Sequence, residues 1–109
     1  MNNIPQTFTP GSVWTNNTPI TLIPVSCRPS TFSDHIVYNI NSTFIFLEEK
    51  ILPTTTENYH ELMFIFYCNE QLCYDGMLIS NKKMEDINYL PAVHTNLKDF
   101  FLQKLTRII

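Results

Sequence analysis

Seven consecutive apolar residues, Leu62-Met63-Phe64-Ile65-Phe66-Tyr67-Cys68, constrain this chain more than any other segment. The run is far too short to span a bilayer as a helix. With no polar position in it, it must be covered on two sides, as a central strand is. Polar Asn69-Glu70-Gln71 follows, and then Leu72-Cys73-Tyr74 and Met77-Leu78-Ile79 resume the apolar character. This predicts a β-hairpin over Leu62 to Ser80 that turns at Asn69 and has its first strand buried on both faces. Asp75-Gly76 is expected to be a bulge in the returning strand, because a turn at Asn69 leaves two arms of comparable length.

Before the hairpin, five of the seven prolines fall in the first third of the chain: Pro5, Pro10, Pro19, Pro24 and Pro29. Proline cannot donate to a helix or to a central ladder, so strands here should be short or lie at an edge. Strands are expected over Ser12 to Thr15, Pro19 to Ser26, His35 to Ile40 and Thr43 to Leu47, with Asn41-Ser42 as a turn. Ile36, Ile40, Phe44 and Phe46 keep a period of two, which gives one face to a core. At the C-terminus the period changes. Leu97, Phe100, Phe101, Leu105 and Ile108 form one stripe of an amphipathic helix expected over residues 96–109. Asn96 would be its N-cap, Asp99 would lie in the first turn, and Lys104 and Arg107 in the last. The sum is one mainly β (α+β) domain over residues 1–109. About six strands form a small curved antiparallel sheet or barrel, closed on one side by the helix. Residues 1–10 read as a flexible lead-in.

Charge restricts the partners. The net charge is -3, and it is divided unevenly. Met1 to Asp75 holds two basic and seven acidic residues, and Gly76 to Ile109 holds five basic and three acidic ones. An acidic body repels phosphates, so direct nucleic-acid binding is not expected. The exposed-aromatic-plus-basic pattern of single-strand binders is also missing around Phe44, Phe46, Phe64, Phe66 and Tyr67. Three cysteines is an odd number, unlike a secreted disulfide scaffold. With no secretory signal pattern at the N-terminus, the cytoplasm is the expected location, without membrane attachment. Asn16-Asn17-Thr18 and Asn41-Ser42-Thr43 fit the glycosylation pattern and read as idle polar turns.

The residues offer little catalytic chemistry. Cys27, Cys68 and Cys73 are the candidate nucleophiles, with His35, His60 and His94 as candidate bases. With two glycines in the chain, neither a nucleophile elbow nor a phosphate-cradling loop can be built. Cys68 and Cys73 with His60 could begin a zinc site, but a fourth ligand is not evident and buried free thiols are the expected outcome. Glu57, His60 and Glu61 are the one clustered set of titratable side chains, in a segment that reads as a solvated connector. The expectation is a non-enzymatic protein with no cofactor and no metal. A small barrel using Cys68, Cys73, His60 and Glu61 around one mouth is the enzymatic or ligand-binding alternative.

The surface is more informative. Only 16% of the residues are charged, so some apolar surface is expected to stay exposed and to serve as a contact site. The segment from Lys82 to Asn96 carries Met84, Ile87, Tyr89, Leu90, Pro91 and Val93 without a clear period, and it reads either as an irregular protein-binding loop or, the favoured alternative, as a loop or short helix packed against the barrel. Glu48, Glu49, Glu57, Glu61 and Glu70, with Met84, Tyr89 and Leu90, are the expected partner-binding residues.

Phe8-Thr9-Pro10-Gly11-Ser12-Val13-Trp14, with the later Ile36-Val37-Tyr38, resembles the opening of small bacterial and phage proteins with SH3-like barrels. The resemblance covers the first 40 residues. Pro24, Pro29 and the aromatic hairpin depart from that pattern. The resemblance implies a small barrel and no functional residues. In type, the chain is also similar to phage anti-defence proteins such as anti-CRISPR inhibitors, which are short, acidic and free of catalytic motifs. This similarity implies an inhibitor of a host nucleic-acid-handling defence complex, acting through an acidic face in the cytoplasm. A structural or self-associating phage subunit is the other implied reading.

Overall fold

The computed structural model describes residues 3–28 and 34–109. Its strands are β1 (Val13–Asn16), β2 (Ile20–Pro24), β3 (Ile36–Tyr38), β4 (Thr43–Pro53), β5 (Tyr59–Cys68), β6 (Gln71–Ser80) and β7 (Leu105–Arg107). One helix, α1 (Tyr89–Lys104), precedes β7. The strands form one antiparallel sheet in the order β3-β2-β6-β5-β4-β1-β7. The first and last strands of that order are not paired with each other, so the curved sheet is the architecture adopted and the barrel is not closed. Curvature is nevertheless strong. Tyr38 of β3 and Phe44 of β4 stand four positions apart in the order, yet their rings lie edge to face at 5.4 Å.

The hairpin sits at the centre as expected. Every second residue of β5, from Leu62 through Phe64 and Phe66 to Cys68, enters the main core. The intervening Met63 and Ile65 are buried on the opposite face with Tyr74. The turn is Asn69-Glu70, both with positive φ (51° and 62°), the backbone of a tight two-residue hairpin loop. The expected bulge at Asp75-Gly76 is absent, and β5 and β6 stay in register from Tyr59↔Ser80 to Cys68↔Gln71. Gly76 serves close approach instead: a Cβ there would stand 2.4 Å from the Leu62 carbonyl oxygen. The bulge lies in β4, between Phe46 and Glu48. Beyond it β4 continues to Pro53, six residues past the expected end at Leu47. Its charged stretch hid that continuation, because Glu48, Glu49 and Lys50 break the apolar alternation.

The C-terminus needs the largest correction. The helix begins at Tyr89, so Asn96 lies within it rather than capping it, and it ends at Lys104. Pro91 sits in the first turn, where an N–H would have no acceptor within the helix, so it does not break the helix. Val93, Leu97 and Phe101 recur every four residues and bury one stripe on the concave face. Phe101 stacks on Phe64 at 5.4 Å with the planes 7° apart. Leu105 to Arg107 then leaves the helix to pair with β1. Leu105-Thr106-Arg107-Ile108-Ile109 is rich in β-branched residues and suits either period locally, and pairing with β1 decides between them.

The lead-in is anchored too. Phe8 stacks on Trp14 at 4.0 Å and meets the Phe46, Phe64, Phe66 and Phe101 rings. Arg107 Nη1 donates to the carbonyls of Pro5 and Thr7. Met1, Asn2 and Pro29 lie outside the described residues.

Asn16 is a structural hub rather than an idle turn residue. It is 1% exposed, and its Nδ2 donates to the carbonyls of Thr18, Tyr38 and Asn39. Its Oδ1 accepts from Ser42 N–H at 2.8 Å. One side chain thereby ties the end of β1 to the β3–β4 turn and helps hold the sheet in its curve.

Candidate functional site

Side chains in an antiparallel sheet line up in rows across the strands, and the face opposite α1 carries one apolar row. Val13 of β1 pairs with Ile45 of β4, Ile45 with Tyr67 of β5, and Tyr67 with Leu72 of β6. Four strands at ~4.8 Å spacing give a row about 14 Å across. Tyr67 and Leu72 remain 39% and 45% exposed, and Val13 and Ile45 are partly buried. The adjoining row, Ile23-Tyr74-Ile65, is better covered and forms a floor beside it. Val37 and Leu78 are exposed on the same face, farther out.

The expected glutamates do not share one surface. Glu48 lies opposite Ile65 on the face of the apolar row and pairs with Lys50 at 3.1 Å. Glu70 lies at the hairpin turn beside Tyr67 and Leu72. Those two flank the row. Glu49 faces the other way and meets His94 of α1. Glu57 is exposed beyond the opposite end of β5. Glu61 pairs with Arg28 Nε at 2.9 Å. Met84, Tyr89 and Leu90 are partly buried against the main core. Tyr89 and Leu90 open the helix rather than lying in an irregular loop. Ile87, 85% exposed, is the free apolar side chain of that segment.

A cleft of about 460 Å³ opens beside Arg28, Thr54 to Thr56, Glu61 and Leu78. Its guanidinium is engaged within the chain: Nε with Glu61, and Nη2 donating to the Pro53 carbonyl at 2.8 Å. The arrangement clasps the β4–β5 end to the segment after β2.

The cysteine cluster and the histidine stand apart. Cys68 and Cys73 are buried free thiols in the main core. Burial pushes the Cys73 thiol up to about 12, with contact to the Tyr38 hydroxyl working in the opposite direction. Burial raises Cys68 as well, so neither sulfur is a ready thiolate. His60 is eight residues from Cys68 along the same strand, roughly 26 Å at ~3.3 Å per residue. Its Nδ1 contacts Asn81 Oδ1 at 2.6 Å, while Glu61 points to the other face. Among the described residues, no group of three or more His, Cys, Asp or Glu is placed to hold a metal. No helix among them is long and apolar enough to cross a membrane.

The apolar row escaped the sequence reading because it is an alignment of four strands. Val13, Ile45, Tyr67 and Leu72 come together only through register. No protein-family model, curated protein or solved structure matches the chain.

Proposed function

We propose that this protein is a non-enzymatic protein-binding module whose contact surface is the row Val13-Ile45-Tyr67-Leu72. The observation that supports this most directly is the exposure of Tyr67 and Leu72 side by side, at the end of the most deeply buried hairpin of the molecule. Rigid aromatic and aliphatic anchors on a strand lose little entropy when a partner covers them. Glu48 and Glu70 supply a polar rim. Inhibition of a nucleic-acid-handling defence complex through an acidic face would draw on carboxylates converging on one surface. Here Glu48 and Glu61 share the row's side of the sheet, with Glu70 at the turn, but Glu61 is engaged by Arg28 and Glu49 faces the helix, so the apolar row is the stronger basis for contact.

Affinity capture from the source cell's lysate, in low and in high salt, tests the reading. A stoichiometric partner retained in high salt fits an apolar contact. A partner lost in high salt would return the contact to the glutamates, and a nucleic-acid-handling complex caught that way would support the inhibitor reading. Self-association of the purified protein with no partner captured would favour a structural subunit.

A further inference from the structure

A second depression lies on the other side of β6, beneath the C-terminal half of α1. Asp75, Gly76 and Met77 line it from the strand, and Asn96, Leu97 and Phe100 from the helix. Its volume is about 290 Å³, at the small end for ligand sites, so it suits a short chain rather than a nucleotide or a large cofactor. Met77 and Phe100 are each 38% exposed and leave an apolar rim. Asp75 is the charged residue of the lining, and its carboxylate accepts the Gly76 N–H at 2.8 Å.

We propose that this depression binds a small alkylammonium ion, with the ammonium at the Asp75 carboxylate and the chain against Met77, Leu97 and Phe100. A cation belonging to the chain already shows the chemistry. Lys104 Nζ lies 5.2 Å from the centroid of the Phe100 ring, so one face of that ring carries an ammonium. Burial pushes Asp75 up from the ordinary range, against the opposing influence of the Gly76 N–H, His35 and Lys104, while Glu61 adds to the rise. An arriving ammonium would join Lys104 and His35 in favouring the carboxylate, while its alkyl chain lies along the apolar side of the depression.

The test is an NMR titration of the full chain near neutral pH with n-hexylammonium, with n-hexanol as its uncharged counterpart. Hexylammonium should bind roughly tenfold more tightly than hexanol and shift the Gly76, Met77 and Phe100 amides. Asp75→Asn should erase that preference. Lys104→Gln, which removes the competing ammonium, should tighten binding of hexylammonium. Equal binding of the two probes, shifts confined to other residues, or no binding by either would overturn the proposal. A capped lysine that binds more tightly than hexylammonium would overturn the small-molecule assignment in favour of a protein's anchor side chain. Loss of the apolar-row function leaves this test unaffected, because the two sites lie on opposite faces of the sheet.

Discussion

The side-chain amide of Gln6 pairs with the main chain of Arg107: the Arg107 N–H donates to Oε1 at 2.8 Å, and Nε2 donates to the Arg107 carbonyl at 3.3 Å. Arg107 lies on β7, the last strand of the sheet, whose inner side is paired with β1. The amide therefore occupies backbone groups that would otherwise template another strand. Gln6→Ala should cost about 1 kcal/mol, the typical net value of such hydrogen bonds. It should also raise the tendency to self-associate. Urea unfolding and light scattering check the two effects, and an unchanged monomer would show that Gln6 does not protect the edge.

Asn16→Ala should be far more damaging. It strands the Ser42 N–H and removes a donor from three carbonyls, in a position 1% exposed. A loss of about 3 kcal/mol is expected in urea unfolding. A loss below about 0.5 kcal/mol, the range of ordinary surface substitutions, would mean that the β3–β4 turn is held by other contacts.

Glu70→Gly should stabilise the protein. Glu70 has φ of 62°, a left-handed conformation that costs a side-chain-bearing residue roughly 1 kcal/mol. Glycine removes that strain, and thermal unfolding should move upward. A decrease would show that the Glu70 side chain makes a contribution larger than the strain.

These residues also mark how far the sequence could be read. The apolar run at Leu62 announced a two-faced strand, and Asn69 announced its turn, because both signals are local. Asn16 gave no such signal, since its partners lie at Tyr38, Asn39 and Ser42 across the fold. The helix start was hidden by Pro91, which reads as a breaker unless the first turn is already known. The last five residues carry both a helical and a strand period, and only β1 resolves them. The contact row is of the same kind: strand pairing brings it together, so no window of the chain displays it.

Protonation of Asp75 gives a pH dependence of definite sign. Its folded value is raised above the ordinary 3.8, so the contribution to stability is fully present below 3.8 and is lost as pH rises through the raised value. Wild type should therefore lose stability relative to Asp75→Asn as pH climbs from 3.8 toward neutral. Urea unfolding of both proteins across that window reads the difference. Parallel curves would show that the carboxylate titrates alike in the folded and unfolded chains.

The central claim is the apolar row, and one comparison tests it most directly: the affinity of the captured partner for Tyr67→Asp/Leu72→Asp and for Glu49→Lys/Glu57→Lys. Both pairs are surface changes, and circular dichroism should show each variant folded. The first should weaken binding at least about 100-fold, the loss of two anchors at ~1.4 kcal/mol each. The second should change it less than about threefold. The reverse ranking would contradict the account and place the contact on the glutamates.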